Sequence, residues 1–323
     1  MDRFLSIQAF VRVAERGSFA EAARQLGASR SVVTERVKQL EAFIEAPLFH
    51  RTTRSVRLTE VGAAYLKDCT DLVGRLEGLT DAMRDIKGTP TGTLRVHVLP
   101  GFALGHLSQI LRDYQESYPD VVLDIVVNDR VVDPVEEGYD VALQIFEPAL
   151  DVLVAKRLFP VRRLFLASPD YIARRGSPRR PEELLRHRVG VYARYPTRDH
   201  WQFFRGKRTI EIDLPAHLRT NSVHLLKEYA LSGAGIACIP TIAAADAILA
   251  GELTPVLYGY RLSSYWLTAV FPETHRHTLK VRLFVDFIQK RFRGEPHWDR
   301  VLITNGFLPH DDVVTDRSER RAM

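Results

Sequence analysis

Apolar residues near the N-terminus recur at helical spacing in three short blocks, separated by residues that favour helix ends. Gly17 ends the first block. Ser18 and Glu21 form a capping box at the start of the second, which ends at Gly27. Ser29 is placed to cap the third. The positions predicted to face inward on the first and third helices are Phe4, Ile7, Val11, Ala14, Val33, Val37, Leu40 and Ile44.

Two short helices joined by a three-residue turn containing glycine are typical of a helix-turn-helix. Residues 47–58 follow as two short strand-like pieces around a basic loop, which indicates a wing. Since the last helix of such a motif enters the major groove of DNA, this helix and the wing supply the candidate contacts. The predicted DNA-binding residues are Ser29, Arg30, Ser31, Thr34, Glu35, Arg36, Lys38, Arg51, Thr52, Thr53 and Arg54. An ordinary surface helix beside a polar loop is the alternative.

A long helix is predicted over residues 59–88, with Thr59 as its cap and Gly88 and Pro90 as terminators. Its apolar residues, Cys69 included, alternate at spacings of four and three, as in a coiled-coil seam. The positions predicted to hold a homodimer are Tyr65, Leu72, Leu76, Leu79, Met83 and Ile86. Packing of the same stripe on the chain's own body is the alternative.

From Gly92 onwards, strand-like and helix-like segments alternate, which predicts an α/β domain with a largely parallel sheet over residues 92–293, in two lobes. The candidate strands are 94–99, 121–127, 139–145, 161–167, 236–239 and 266–271. Residues 294–323 show no sustained period and are predicted to form a poorly ordered tail.

The net charge is distributed unevenly along the chain. The 323 residues carry a net charge of +5, and residues 1–58 alone, with ten Lys/Arg and six Asp/Glu, account for +4. A small basic module on a near-neutral body favours contact with a polyanion, although a solvated surface explains the charge as well. The chain shows no apolar run of membrane-spanning length and no apolar signal segment, so a cytoplasmic location is expected.

The sequence shows little evidence for a catalytic site or a metal site. Two distant cysteines give neither a disulfide scaffold nor a cysteine-based zinc site. His275 and His277 are interpreted as surface residues rather than metal ligands. Gly233 and Gly235 lie between a predicted helix and a predicted strand, which is the wrong order of elements for a dinucleotide-binding loop. A basic run over residues 174–188 is interpreted as a solvated face, with a second DNA contact as the alternative. No cofactor and no metal are predicted.

The motifs of residues 4–62 resemble those of the LysR-type transcriptional regulators. The matching runs are FVRVAERGSF at 10–19, AARQLG at 22–27, VKQLE at 37–41, LFHRTTR at 48–54 and LTEVG at 58–62. The resemblance continues through the body, to about residue 293. The matching runs there are GTLRV at 92–96, DRVVD at 129–133, EGYDVA at 137–142, LSGAGI at 231–236 and KVRLFVDF at 280–287.

This resemblance implies a winged helix-turn-helix over residues 1–58, a dimerising linker helix over 59–88 and an effector domain of two lobes, similar to periplasmic binding proteins. It implies a transcriptional regulator that forms a homodimer or homotetramer, binds double-stranded DNA and a small-molecule effector such as an organic acid, and contacts RNA polymerase. The effector residues that it implies are Pro100, Gly101, Phe102, Phe203, Asn221 and Ser222. An effector-independent DNA-binding protein, or an enzyme on a two-lobed α/β body, is the rival interpretation.

The sequence departs from the family pattern at Arg30, where glutamine is usual, at Glu35, where a basic residue is common, and at Glu45, which replaces a frequent glycine. Glu35 would be repelled by phosphates unless it pairs with Arg36, with Lys38 or with a cytosine amino group. We therefore expect an operator sequence that differs from the family norm.

Overall fold

A computed structural model describes residues 2–51, 56–85, 89–146, 153–197, 199–263, 265–276 and 278–309. The helices are α1 (Arg3–Arg16), α2 (Phe19–Gln25), α3 (Arg30–Phe43), α4 (Glu60–Asp85), α5 (Pro100–Phe102), α6 (Ser108–Ser117), α7 (Pro134–Glu137), α8 (Pro169–Arg175), α9 (Val223–Leu231), α10 (Thr241–Leu249), α11 (Leu279–Arg291) and α12 (His297–Thr304). The strands are β1 (Phe49–Arg51), β2 (Val56–Leu58), β3 (Gly92–Val98), β4 (Val121–Val127), β5 (Val141–Gln144), β6 (Leu153–Val161), β7 (Arg163–Ala167), β8 (Val189–Tyr192), β9 (His200–Arg205), β10 (Arg208–Asp213), β11 (Leu218–Thr220), β12 (Ile236–Pro240), β13 (Thr254–Val256), β14 (Arg261–Leu262) and β15 (Tyr265–Pro272).

The chain divides into two compact units. The first comprises Met1–Val98, Gln109–Lys156 and Thr268–Phe287, and the second comprises Leu99–Ser108, Arg157–Leu267 and Ile288–Met323. In the part of the chain that the structure describes, no helix is long and apolar enough to cross a membrane.

Helices α1 to α3 form the head of the first unit, and their ends follow the sequence signals. The hydroxyl of Ser18 accepts from the Glu21 amide at 3.4 Å. The Glu21 carboxylate pairs with Arg24 instead of closing the predicted capping box. Gly17 adopts φ 60° at the end of α1, a left-handed conformation that glycine takes without strain. The predicted inner face of α3 is buried in the head core at Val33, Val37 and Leu40.

The predicted wing is present as two short antiparallel strands. In the register of β1 and β2, Phe49 lies opposite Leu58 and His50 lies opposite Arg57. Thr59 then starts α4, because its hydroxyl accepts from the Gly62 amide at 2.9 Å. Residues 52–55, with the predicted contacts Thr52, Thr53 and Arg54, lie outside the described residues.

The residues of the predicted seam lie in two environments on α4: some pack against the head and others are exposed. This corrects the predicted seam in part. Cys69 and Val73 are buried in the head core, and Tyr65 packs against the same core, with its ring 6.0 Å from that of Phe10. Leu72 and Leu76 are 49% and 41% exposed. The side chains of Leu79 and Met83, and all of Ile86, lie outside the described part of the chain.

Each lobe of the α/β body is built on a five-stranded sheet. The order of the first is β4-β3-β5-β15-β6, with β3 parallel to both β4 and β5 and with β15 antiparallel to β5. The order of the second is β11-β8-β12-β7-β13, beside a three-stranded sheet β10-β9-β14. In the second sheet β8 is parallel to β11 and β12, whereas β7 is antiparallel to β12 and β13. The sheets are therefore mixed rather than largely parallel.

The prediction of a poorly ordered tail from residue 294 is wrong as far as residue 309. Helix α12 buries Trp298 and Leu302. The Trp298 ring packs 5.4 Å from Phe159 and 5.5 Å from Phe292. The carboxylate of Asp299 is fully buried and accepts from the Arg162 guanidinium at 2.8 Å. Aromatic packing and a buried ion pair thus fix this segment to the second unit. Residues 310–323 are outside the described residues.

Candidate nucleic-acid interface

The N-terminal half of α3 presents a polar face to solvent. The Ser29 hydroxyl caps the helix by accepting from the Val32 amide at 3.3 Å and lies 2.8 Å from the Ser31 hydroxyl. The Thr34 hydroxyl donates to the Arg30 carbonyl at 2.8 Å. These hydrogen bonds fix the helix start, so its polar side chains project from a rigid element.

The predicted contact residues of α3 differ in their position around the helix. Ser31, Glu35 and Lys38 are exposed on the side opposite the buried Val33 and Val37. Thr34 and Arg36 are half-buried on the two flanks, and Arg30 is exposed in the first turn, in line with the valines.

Glu35 is held within its own helix. Its carboxylate accepts from the Gln39 amide at 3.1 Å, one helical turn further on. Of the alternatives for Glu35, ion pairs with Arg36 or Lys38 are not seen among the described side chains. The carboxylate therefore stays on the polar face of α3, where it can accept a hydrogen bond from a cytosine amino group.

The wing contributes a further cation that the sequence interpretation left out of the site. Arg57 is exposed on β2, directly opposite the exposed His50. Val56 and Leu58 pack against the head core on the other side of the strand. The alternation of apolar Val56, basic Arg57 and apolar Leu58 indicates this arrangement in the sequence, because neighbouring residues of a strand point to opposite faces. Arg51 ends β1, but its side chain is outside the described part of the structure.

Charged side chains connect helix α1 with the first lobe of the body inside the first unit. The Arg95 guanidinium lies 3.5 Å from the Glu15 carboxylate and 3.6 Å from Asp124. Arg16 lies 3.4 Å from the same Asp124, and Arg12 lies 3.0 Å from Glu15. A cavity of about 470 Å³ adjoins this network. These residues come from distant parts of the sequence, so no local pattern predicted their association.

Four of the predicted effector residues form two adjacent segments in the second unit. A Cβ added at Gly101 of α5 would lie 3.0 Å from the Val223 side chain, at the start of α9. Ser222 caps α9 by accepting from the Leu225 amide at 3.2 Å, and Asn221 beside it is exposed. Pro100 and Gly101 are therefore close to Asn221 and Ser222.

The two predicted aromatic effector residues are packed inside the second unit. Phe102 is 3% exposed, with its ring 5.6 Å from Phe159 and 5.8 Å from Phe292. Phe203 is 1% exposed and stacks on Phe165 at 5.6 Å. In this structure both rings are therefore part of the core of the second unit.

Metal ligands are not grouped in the described residues: no three histidine, cysteine, aspartate or glutamate side chains there could hold an ion together. His275 lies 3.5 Å from the Asp140 carboxylate, and His277 is outside the described residues.

Two family models match the chain, one over the head and one over the α/β body. Residues 4–63 match the family described as "Bacterial regulatory helix-turn-helix protein, lysR family". Residues 87–293 match the family described as "LysR substrate binding domain".

Similar proteins match over nearly the whole chain. The HTH-type transcriptional regulator PtxR of Pseudomonas aeruginosa is 29% identical over 290 residues, which cover 90% of this chain and 93% of PtxR. The regulator YcaN of Escherichia coli is 31% identical over 288 residues, covering 87% and 92% of the two chains. Among solved structures, the LysR-type regulator CrgA of Neisseria meningitidis is 28% identical, with a TM-score of 0.58 over 90% of this chain and 99% of CrgA. Full-length AphB of Vibrio cholerae shares the fold, with 23% identity and a TM-score of 0.58 over 88% and 97%.

Proposed function

The chain belongs to the LysR family of transcriptional regulators, and from this premise we propose how its own residues recognise DNA, bind the effector and form the dimer. In its operator complex, the exposed face of α3 lies in the major groove. Arg30 and Thr34 contact base edges there, and Glu35 accepts from a cytosine. The observation that carries this proposal is the exposed, largely polar N-terminal part of α3, which is fixed at its start by the Ser29 cap.

Phosphate contacts belong to the flanks of this face. Lys38 follows the base-reading residues one turn later on α3, and Arg57 projects from β2 of the wing. Both side chains are exposed cations, and cations near a duplex bind its phosphates without reading sequence. We assign Arg51, Thr52, Thr53 and Arg54 to the same backbone contacts, on the basis of the sequence alone.

Arg30→Ala and Arg57→Ala test this division of roles. Losing a bidentate base contact costs about 1–3 kcal/mol at one base pair, so Arg30→Ala should weaken binding to operator DNA and leave scrambled DNA almost unaffected. Arg57→Ala should weaken both and lower the salt slope by about one unit. Affinities for both DNAs at several salt concentrations measure this, with exposed Arg112→Ala on α6 as the control. Equal losses on the two DNAs in the Arg30 variant would remove Arg30 from the reading face.

The effector site includes Pro100, Gly101, Asn221 and Ser222 of the second unit. Its support is the close approach of α5 to the start of α9, where amide groups and the exposed Asn221 offer hydrogen-bond donors. The test is a metabolite screen by thermal shift, followed by Asn221→Ala, with Asn305→Ala at the end of α12 as the control. The proposal requires that a stabilising metabolite lose its effect in the Asn221 variant and retain it in the Asn305 variant.

The working protein is a homodimer or a pair of dimers in the cytoplasm, where it regulates RNA polymerase and catalyses no reaction. Support for the dimer comes from Leu72 and Leu76, which leave an apolar strip on α4 next to the head. Two heads on one dimer read two half-sites, which predicts a two-fold symmetric operator.

A further inference from the structure

One apolar side chain of the first turn of α3 lies on the surface of the head. Val32 is 41% exposed, whereas Val33 beside it and Val37 one turn further on are fully buried. Successive residues of a helix are rotated by about 100°, which places Val32 well outside the stripe that faces the head core. Val32 therefore has no part in the packing that holds α3 in the head.

The composition of this turn is not the one that best stabilises a helix. Valine is a weaker helix former than alanine, because its branched Cβ is restricted by the preceding turn. The turn also contains Arg30 and no acidic residue, although acids stabilise a helix at its N-terminus. An exposed valine beside a cation indicates a contact made outside the chain, and a cation suits a polyanion.

Val32 is held in a defined position. Its amide donates to the Ser29 hydroxyl at 3.3 Å, which fixes the backbone at the start of the helix. In a helix, valine has one strongly preferred χ1 rotamer. A contact made by Val32 therefore costs little conformational entropy.

The exposed neighbours of Val32 are polar. Ser31 precedes it, and Glu35, three residues further on, keeps its carboxylate on the Gln39 amide at 3.1 Å. Val32 offers two methyl groups and no hydrogen-bonding group of its own. In the major groove of DNA, thymine presents an apolar group, its C5 methyl, where cytosine and the purines present none. The side chain of Val32 is thus suited to one base.

We propose that Val32 reads a thymine of the operator by packing its methyl groups against the C5 methyl. Side chains three residues apart on a helix are about 5–6 Å apart, and base pairs stack about 3.4 Å apart, so the thymine lies about one or two base pairs from the cytosine assigned to Glu35. This inference rests on the function proposed above and adds the identity of one base to it.

Uracil in place of thymine tests the contact, because it removes the C5 methyl and keeps the O4 acceptor and the base pairing. The full-length protein first selects its preferred sequence from a pool of random duplexes, and the selected duplex is the probe. Each thymine is then replaced singly by uracil. Loss of one buried methyl should weaken binding of the wild type by about threefold to fivefold at the thymine that Val32 contacts.

Val32→Ala completes the comparison. The variant should bind the thymine and uracil duplexes with equal affinity at that position, because the contact is already lost. Alanine leaves the head core intact, since Val32 is exposed. Val61→Ala is the matched control, because Val61 is an exposed valine, at 48%, in the first turn of α4. This control should keep the full preference for thymine.

The outcomes separate this inference from the function on which it rests. If selection yields no preferred sequence, both fail. If a sequence is selected but no uracil weakens binding of the wild type, the assignment of Val32 alone is overturned. The same conclusion follows if Val32→Ala keeps the preference of the wild type for thymine at every position.

Discussion

Leu72→Glu tests whether α4 forms the dimer seam. The exposed areas of Leu72 and Leu76 together equal about one leucine side chain in each protomer. Burying a leucine stabilises by about 1.5–3 kcal/mol. The half-exposed Leu72, counted in both protomers, therefore contributes about 1.5–3 kcal/mol to the dimer, or roughly a 10- to 150-fold change in its Kd. The introduced carboxylates increase the loss, because each would be desolvated in an apolar seam.

Sedimentation over a range of protein concentrations measures this effect. We expect the variant to shift towards a smaller species at concentrations where the wild type is fully associated. Val61→Glu is the matched control, because Val61 is an equally exposed apolar residue of α4, at 48%, outside the seam spacing. If Leu72→Glu sediments like the wild type, α4 does not form the seam and the apolar strip needs another explanation.

Three further predictions concern stability. Gly62→Ala should destabilise the head in chemical denaturation, because the added Cβ would overlap the Leu48 carbonyl oxygen. In an ordinary helix, alanine in place of glycine raises the free energy of unfolding by about 1 kcal/mol. Such an increase in this variant would refute the overlap. Trp298→Ala should cost about 3–5 kcal/mol, whereas a poorly ordered tail would leave the melting temperature unchanged. Burial lowers the pKa of His97 below 6.5, although its hydrogen bond with Asn128 opposes the shift. As the pH falls, the unfolded chain therefore binds a proton at this histidine before the folded chain does. The contribution of His97 to stability is complete above about pH 6.5 and should be lost below it, by up to about 1.4 kcal/mol per pH unit. Denaturation of His97→Gln should show a shallower slope, and an unchanged slope would contradict this linkage.

The head was predictable because its signals are local. Ser18, Ser29 and Thr59 each cap the helix that follows them, and Gly17 ends α1. Each signal acts within three or four residues, so one sequence is enough to show it. The polar face of α3 follows in the same way, once the buried valines fix the orientation of the helix.

The second unit was harder to predict because its strands are short and half polar. In β9 and β10 charged and apolar residues are mixed, so the sequence does not show that Phe203 lies opposite Ile210 in a sheet and is buried there. Helix α12 has only eight residues, too few for a periodic pattern to stand out. Its stability comes from partners more than a hundred residues away, such as Phe159 and Arg162.

Helix α4 shows why periodicity identifies an apolar stripe without identifying what covers it. Cys69, Leu72 and Leu76 follow the coiled-coil spacing, and the sequence gives no reason to separate them. The head reaches only the N-terminal part of the helix, so it buries Cys69 together with Val73 and leaves Leu72 and Leu76 exposed. Val73 is outside the coiled-coil spacing yet is among the most buried residues of the helix. The head therefore packs on a face of α4 that is rotated slightly from the coiled-coil stripe. The exposed part of that stripe, which is available to a second protomer, begins at Leu72. A dimer interface confined to this remainder should tolerate substitutions at Cys69 that leave the head folded, and should not tolerate a charge at Leu72 or Leu76.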